Sequence, residues 1–176
     1  MEVIECRIQD ISEQMLVQFE RYQSTTKVIR NEGGLLREVE DAFTDQWTLA
    51  KKREIVSHFK AVIRDGGAVI VARNQTQVVG FAVIEAAEFG EKWRYRELSF
   101  LHVTSSERGN GVGVRLFEQV IESARRLQAD KLYIGAHPAV ETQKFYRKMG
   151  CVLAKEINKE IFEREKYDIQ LEYQLD

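Results

Sequence analysis

The clearest periodicity in the chain predicts a helix between about residues 49 and 64. Apolar residues recur there at intervals of three and four positions, which places them on one helical face: Ile55, Val56, Phe59, Val62 and Ile63. The tripeptide Asp65-Gly66-Gly67 follows, and glycine readily adopts the left-handed conformation that ends a helix. We therefore expect a half-buried helix that ends close to Asp65.

Two apolar runs after this helix predict a pair of antiparallel strands. They cover residues 68–72 and 78–85 and flank a polar turn at 74–77. Further strands are expected at 96–103 and 131–135, and a last strand at 167–175, where large apolar residues alternate with polar ones. Apolar residues at helical spacing predict two more helices, one at about 117–127 and one at 140–148 that Gly150 stops.

The amino-terminal part of the chain carries weaker signals. Residues 3–8 can form a first strand, and Asp10 with Glu13 resembles a capping box at the start of a helix through about Arg21. Further on, residues 26–30 and 35–39 flank a glycine pair that suits a hairpin turn. The order of elements predicts a mixed α/β fold with an antiparallel start and a parallel crossover near the middle.

Length and composition favour one compact domain. The chain has 176 residues, of which 44% are hydrophobic, which is enough for one substantial core and short for two. There is a single proline, Pro138, and no Gly/Ser-rich or low-complexity stretch that would mark a linker. We expect residues 1–176 to form one domain, with the hairpin at about 25–40 as an insertion.

Charge and cysteine content exclude several classes of protein. The 26 basic and 28 acidic residues give a net charge of −2, which offers no electrostatic case for binding nucleic acid or an anionic membrane. No segment approaches the ~20 apolar residues that span a bilayer, and the amino terminus does not resemble a signal peptide. Cys6 and Cys151 are far apart without nearby histidine pairs. These features predict a cytoplasmic protein with buried thiols and no metal.

A glycine-dense segment, residues 108–113, carries the strongest chemical signal. It lies between a predicted strand and a predicted helix, an arrangement that aims backbone N–H groups and the positive end of the helix dipole at a bound phosphate. Two familiar phosphate motifs do not fit: a dinucleotide fold requires glycine where Val114 stands, and an NTPase loop requires a lysine that is absent. The segment does match Arg-x-x-Gly-x-Gly through Arg108, Gly111 and Gly113.

This hexapeptide resembles the pyrophosphate-binding motif of the GCN5-related N-acetyltransferases, and a second motif of that family follows in register. It is the run Phe145-Tyr146-Arg147-Lys148-Met149-Gly150-Cys151. The resemblance covers about residues 68–154. Two positions depart from the family pattern, since Ala139 stands where many members carry asparagine and Cys151 replaces an aromatic residue.

The resemblance implies a fold and a set of cofactor contacts. The fold would be a mixed sheet of about seven strands, splayed near the cofactor, with helices on both faces. Acetyl-coenzyme A would be the co-substrate. The residues implied to bind it, partly through their backbones, are Leu101, His102, Val103, Arg108, Gly109, Asn110, Gly111, Val112, Gly113 and Val114.

The resemblance also implies catalytic roles for two residues. Tyr146 resembles the general acid of the family, because a phenol with a pKa of ~10 can protonate a departing thiolate. Glu97, eleven residues before Arg108, lies where some protein-acetylating members carry a base glutamate. It is expected to share a strand face with Ser99 and Leu101. His102 and His137 are further titratable candidates.

The function implied is direct transfer of acetyl from acetyl-coenzyme A to a primary amine, most simply that of a small molecule. Two alternatives stay open: a catalytically silent acyl-coenzyme A-binding module, and an enzyme that acetylates protein amino groups. The expected partners are acetyl-coenzyme A and an amine acceptor, with the protein a monomer or homodimer.

Overall fold

The computed structural model describes all of residues 1–176 and contains nine strands and four α-helices. The strands are β1 (Glu2–Glu5), β2 (Tyr22–Glu32), β3 (Leu35–Gln46), β4 (Ala68–Asn74), β5 (Gln77–Phe89), β6 (Tyr95–Val103), β7 (Lys131–Ala136), β8 (Val152–Leu153) and β9 (Ile169–Gln174). The helices are α1 (Leu49–Asp65), α2 (Val112–Arg126), α3 (Val140–Lys148) and α4 (Lys159–Arg164).

Seven strands form one sheet in the order β1-β4-β5-β6-β7-β9-β8. The β6–β7 pair is parallel and α2 makes its crossover, while every other pair is antiparallel. The alternation of β4 shows how the sheet divides the interior: Ala68, Ile70 and Ala72 pack with α2, whereas Val69 and Val71 pack with α1. Helices therefore cover both faces, and the predicted mixed α/β fold is confirmed.

The sheet opens between β6 and β7. Their pairing ends at Glu97 and Tyr133, although β6 continues to Val103 and β7 to Ala136. Below the opening, the Lys131 ammonium and Glu172 carboxylate form an ion pair of 2.7 Å, and each side chain is only 3% exposed. This ion pair joins β7 to β9, and β6 and β7 are paired at one end and separate at the other.

A β-bulge in β6 shifts the alternation of its side chains between the two faces of the sheet. Val83 pairs with Phe100 and Ile84 with Leu98, so Ser99 is the extra residue. The expectation that Leu101 shares a face with Glu97 is therefore wrong. Leu101 packs with the α2 side of the core, and Glu97 contacts α4 on the other face.

The helix expected between Asp10 and Arg21 does not form. A 3-10 helix at Ile8–Asp10 is followed by turns, because the Asp10 carboxylate accepts a hydrogen bond from the backbone N–H of Arg7, three residues earlier, and closes a turn behind it. Leu16 and Phe19 are nevertheless buried against α1 and β5. Tertiary packing thus uses these apolar residues without a regular helix.

Other elements also differ from the sequence predictions. The first strand ends at Glu5, the hairpin strands are longer than expected, and β8 and the six-residue α4 were not predicted. The last strand begins at Ile169, and Tyr167 is exposed. Helix α4 is too short to show a periodic pattern, although the Asn158 side chain caps it by accepting from the N–H of Ile161.

The β2–β3 hairpin forms a separate two-stranded sheet that lies over the open ends of β6 and β7. Its turn uses positive φ angles at Gly33 and Gly34, which favour glycine. Midway along β2, the N–H of Ile29 donates to the carbonyl of Pro138 at 2.8 Å, and Val28 forms a bridge with Ala139. The hairpin is thereby fixed to the chain that follows β7.

Candidate active site

The glycine loop between β6 and α2 forms an open cradle of backbone. Gly109 and Gly111 have φ angles of +81° and +80°, and a Cβ added to either would meet nothing within 4 Å. At Gly113 a Cβ would lie 3.2 Å from Cε2 of Phe145, so this glycine permits close packing of α2 against α3. The first two glycines therefore leave room for a ligand, and the third brings the helices together.

The amino terminus of α2 offers unpaired donors to this cradle. The first helical hydrogen bond runs from the N–H of Arg115 to the carbonyl of Gly111. The amides of Val112, Gly113 and Val114 precede it and have no helical acceptor. A group of free N–H donors at a helix amino terminus is suited to bind phosphate oxygens.

Two polar side chains of the loop make local contacts. Arg108 donates through Nε to the carbonyl of Val103 at 3.3 Å. Much of the residue is exposed, but partial burial of its guanidinium lowers the pKa of this group. Asn110 donates through Nδ2 to Glu107 at 3.2 Å. Both residues belong to the loop that leads into the free amides of α2.

Leu101, His102 and Val103 lie on the part of β6 that has no pairing with β7. The backbone on that edge has no strand partner, although the Val103 carbonyl accepts from Arg108. The His102 ring packs edge-on against Trp47, with centroids 4.8 Å apart. Burial, together with the positive charges of Arg21 and Arg108, lowers the pKa of His102 well below its usual value, so the imidazole is neutral.

Tyr146 lies on α3 among aromatic rings, with Phe145 and Phe117 as its neighbours. The residue is only 6% exposed, yet its hydroxyl makes no hydrogen bond within the protein and its oxygen is not among the fully buried, unpaired atoms. Burial and the nearby Cys151 and Asp168 raise the pKa of the phenol. Tyr146 thus presents an undissociated, unpartnered O–H group.

Asp168, which sequence reasoning missed, lies where β6 and β7 have separated. Its Oδ2 would be 3.8 Å from a Cβ placed on Gly135, two residues beyond the last β6–β7 pair. Its carboxylate has no ion pair within 4.0 Å, and burial, with repulsion from Glu165 and Asp45, raises its pKa to about 7. No local motif marks Asp168, because only the fold brings it beside Gly135.

Glu97 differs from Asp168 in having a cationic partner. Its Oε1 accepts from Arg164 at 2.7 Å, and the Glu97 side chain is 13% exposed. Burial raises the pKa of Glu97, and Arg164 opposes that rise. The carboxylate lies at the point where β6 and β7 part.

His137 connects the end of β7 to the hairpin. Its Nδ1 accepts from the N–H of Ala139 at 3.1 Å, and its Nε2 lies 3.0 Å from Asp45. This pattern assigns the neutral tautomer with hydrogen on Nε2, which donates to Asp45. Burial lowers the pKa of His137, and Asp45 partly offsets that change.

Metal-ligand clusters and membrane-spanning helices are both absent from the structure. The structure contains no group of three or more His, Cys, Asp or Glu side chains that could hold a metal ion. None of its helices has the length and apolar character needed to cross a membrane.

Comparison with known sequences identifies the family of this fold and site. The model of the Acetyltransferase (GNAT) family matches residues 34–151, which include β6, the glycine loop and the Tyr146 motif. The chain therefore belongs to the GNAT acetyltransferase family. It is also 29% identical over 96 residues to an uncharacterized N-acetyltransferase of Archaeoglobus fulgidus, a match that covers 52% of this chain and 65% of that relative.

Solved structures resemble the whole chain, including the hairpin. Nourseothricin acetyltransferase has a TM-score of 0.69 with 18% identity, and the match covers 99% of this chain and 98% of that one. A Bacillus anthracis protein assigned as a streptothricin acetyltransferase, in complex with acetyl coenzyme A, has a TM-score of 0.71 with 16% identity over the full length of both chains. At these identities the similarity establishes the fold.

The ionisation of Asp168 predicts a stability change that depends on pH. Because its folded pKa of about 7 lies above the ordinary 3.8, the unfolded chain releases this proton at lower pH, and wild-type stability falls between about pH 4 and pH 7. Asp168→Asn removes the ionisation. We expect the variant to have a higher melting temperature than wild type, with a larger gain at pH 8 than at pH 5.

Thermal denaturation at both pH values checks this expectation. Glu118→Gln is the matched control, since Glu118 is an exposed residue of α2 without an ion pair, and it should leave the melting temperature almost unchanged at both pH values. An equal gain for Asp168→Asn at pH 5 and pH 8 would mean that Asp168 titrates like a solvated carboxylate.

Proposed function

We propose that this chain transfers the acetyl group of acetyl-coenzyme A directly to a primary amine of a small molecule. The observation that carries the proposal is the pairing of two unpartnered groups beside the β6–β7 opening. The Tyr146 hydroxyl and the Asp168 carboxylate have no hydrogen-bond partner in the protein, and they are close enough for the charge of Asp168 to raise the pKa of Tyr146. Such groups are available to exchange protons with a substrate.

The glycine loop and the open edge of β6 suit the two ends of acetyl-coenzyme A. The free amides of Val112, Gly113 and Val114 would bind the pyrophosphate, with Gly109, Gly111 and the side chains of Arg108 and Asn110 around it. The backbone of Leu101, His102 and Val103 would contact the pantetheine and the thioester, where β7 leaves the β6 edge unpaired.

The reaction requires two proton transfers. The neutral amine attacks the thioester carbonyl carbon, a C–N bond forms and the C–S bond breaks. The excess proton of the amine passes to a carboxylate, and the departing thiolate takes a proton from the Tyr146 hydroxyl. A general base works best with a pKa near the operating pH, and a pKa of about 7 gives Asp168 this property.

Glu97 is the alternative base that the sequence indicates. Its carboxylate already accepts from Arg164, so it has to release or share that partner to take a proton. Asp168 has no such competitor, and for that reason we assign it the base role and Glu97 a supporting role at the same opening. The two assignments predict different pH profiles.

A small acceptor is supported by the hairpin that covers this end of the sheet. The hairpin joins the chain after β7 through Ile29 and Pro138, and its Asp45 lies close enough to Asp168 for its charge to raise the pKa of Asp168. The two structural neighbours that match the full length are named for the compounds nourseothricin and streptothricin.

Screening small amines and amino-terminal peptides for coenzyme A release tests the proposal. Release with peptides alone would identify a protein acceptor, and acetyl-coenzyme A binding without release would identify a silent module.

Gly111→Val should abolish the thermal stabilisation that acetyl-coenzyme A gives. The Cβ would enter the open space above the loop, and a β-branched residue resists a φ of +80°. Gly33→Val is the control, because Gly33 also has a positive φ and open surroundings but lies in the hairpin turn. A normal cofactor shift in Gly111→Val would refute the binding role of the loop.

Tyr146→Phe should lower kcat by roughly 10- to 10⁴-fold, because it removes only the proton donor. Its melting temperature should stay close to that of wild type, since the hydroxyl has no partner to lose. Tyr95→Phe is the opposite control: the Tyr95 hydroxyl donates to Glu172 at 2.5 Å, so this variant should lose about 1 kcal/mol of stability and retain turnover. Turnover of Tyr146→Phe within twofold of wild type would remove Tyr146 from the mechanism.

The pH dependence of kcat/KM identifies the base. With one acceptor used throughout, the wild-type value should rise as Asp168 loses its proton around pH 7. Asp168→Asn should remove that component and lower kcat/KM by roughly 10²- to 10⁴-fold, whereas Glu97→Gln should keep the wild-type profile. If Glu97→Gln loses the rise of kcat/KM around pH 7 and Asp168→Asn keeps it, Glu97 is the base.

A further inference from the structure

We propose that Arg21 binds a carboxylate of the acceptor, so that the substrate is an amine that carries its own anionic group, as amino acids do. The inference rests on the proposed acetyl transfer and adds the substrate class. It begins from an arginine that the fold buries without a partner.

The backbone of Arg21 is fixed at the end of β6. The preceding residue, Glu20, donates its N–H to Thr104 Oγ1 at 2.9 Å and accepts from the N–H of Ser105 at 3.0 Å. On the other side, the carbonyl of Arg21 accepts from the N–H of Trp47 at 3.3 Å. Arg21 is therefore held between the opening strand β6 and the end of the hairpin.

The side chain of Arg21 has no hydrogen-bond or ion-pair partner. The residue is 7% exposed, and its Nε and Nη1 atoms are fully buried and unpaired. Other arginines with a buried unpaired nitrogen each have a contact through another atom or an acidic neighbour: Arg30 with Asp41, Arg73 with Glu2 and Arg96 with the carbonyl of Ala86. Arg21 alone among them has none.

The surroundings of Arg21 make the positive charge of its guanidinium unfavourable. Burial lowers its pKa, Arg108 contributes in the same direction, and Asp45 opposes them. Asp45 is not within ion-pair distance of Arg21, because its Oδ2 contacts His137 at 3.0 Å. The Trp47 ring, with its centroid 5.6 Å from the guanidinium carbon, is the favourable contact. An arginine stays protonated in such a site, and an unpaired buried charge is costly.

The position of Arg21 favours the acceptor over coenzyme A as the source of the anion. Arg21 lies over Trp47, which packs with Phe81 and Phe100 on the α1 face of the sheet. Helix α2, whose amino terminus carries the free amides of the glycine loop, packs on the opposite face. A planar guanidinium with free Nε and Nη1 atoms matches the two oxygens of a carboxylate.

The same inner face of the hairpin carries a second unpaired donor. Every second residue here, at positions 21, 23 and 25, faces the protein interior. The Oγ1 of Thr25 is buried without a partner. Asp45 lies opposite Gln23 in the hairpin. The acceptor side of the site thus contains polar groups that the protein itself leaves unsatisfied, in addition to the Asp168 carboxylate that would meet the amine.

The experiment compares standard L-amino acids with their amides, which keep the amine and remove the negative charge. Coenzyme A release gives kcat/KM, and thermal shift in the presence of coenzyme A gives binding without turnover. We expect Arg21→Met to lower kcat/KM for accepted amino acids by roughly 10- to 10²-fold and to change the value for the amides by less than about threefold. Comparing the variant with wild type for each acceptor cancels the difference in amine basicity.

Two controls separate binding from structural roles. Arg37→Met removes an exposed hairpin arginine paired with Glu32. It should leave kcat/KM unchanged for both the amino acids and their amides. Arg21→Met should have a higher melting temperature than wild type without acceptor, because it removes an unpaired buried charge. A lower melting temperature with equal loss for acids and amides would show a structural role and overturn the proposal.

The remaining outcomes are equally decisive. Weakened acetyl-coenzyme A binding in Arg21→Met would assign the guanidinium to a coenzyme phosphate and overturn the proposal. Acetylation of polyamines or of other amines that lack an anionic group, with no binding of amino acids, would also overturn it, while leaving the proposed reaction intact. Binding of amino acids that depends on Arg21 without coenzyme A release would support the carboxylate site and refute the reaction.

Discussion

The separation of β6 and β7 is the constraint on which the rest of the site depends. Two parallel strands normally pair along their whole length, but here pairing ends at Glu97 and Tyr133. The opening leaves backbone groups of β6 without strand partners on the side of β7. The buried Lys131–Glu172 pair and the Tyr95 hydroxyl bonded to Glu172 hold the strands together below it. A rigid lower half thus supports an open upper half.

The polar groups around the opening share an unusual property, since several of them are left without partners by the protein. The Tyr146 hydroxyl, the Asp168 carboxylate and the Arg21 guanidinium have no hydrogen bond, although each is at least partly buried. Their burial shifts the pKa of each toward the neutral form. Unsatisfied groups reduce the stability of the free protein, and a bound substrate can satisfy them.

The hairpin converts an open sheet edge into a covered site. It is fixed at its base by Glu20, Thr104 and Ser105, and along β2 by the contact of Ile29 with Pro138. It places Arg21 beside the end of β6 and Asp45 beside the end of β7, although both residues are distant from these strand ends in sequence. The proposed acceptor side therefore draws on several distant segments of the chain, while the proposed cofactor side comes from one continuous segment, residues 101–114.

The sequence by itself determined the features that depend on neighbouring residues. The spacing of apolar residues located α1, α2 and α3, and the glycine loop with the Tyr146 motif pointed to the family that the comparison identifies. The sequence failed where long-range contacts decide the conformation: residues 10–21 pack against α1 without a helix, and a bulge at Ser99 moves Leu101 to the face opposite Glu97.

Only the tertiary structure decided which polar groups lack partners. Nothing around Arg21 or Asp168 in the sequence distinguishes them from ordinary surface residues, because partners are assigned by strands and loops that are far away along the chain. In the folded protein Glu97 bonds to Arg164 and Asp45 bonds to His137. The side chains of Arg21 and Asp168 have no hydrogen-bond partner. The glycine loop could be read from the sequence because its free amides are consecutive along the chain, whereas Arg21, Tyr146 and Asp168 come from distant segments that folding alone brings to one end of the sheet.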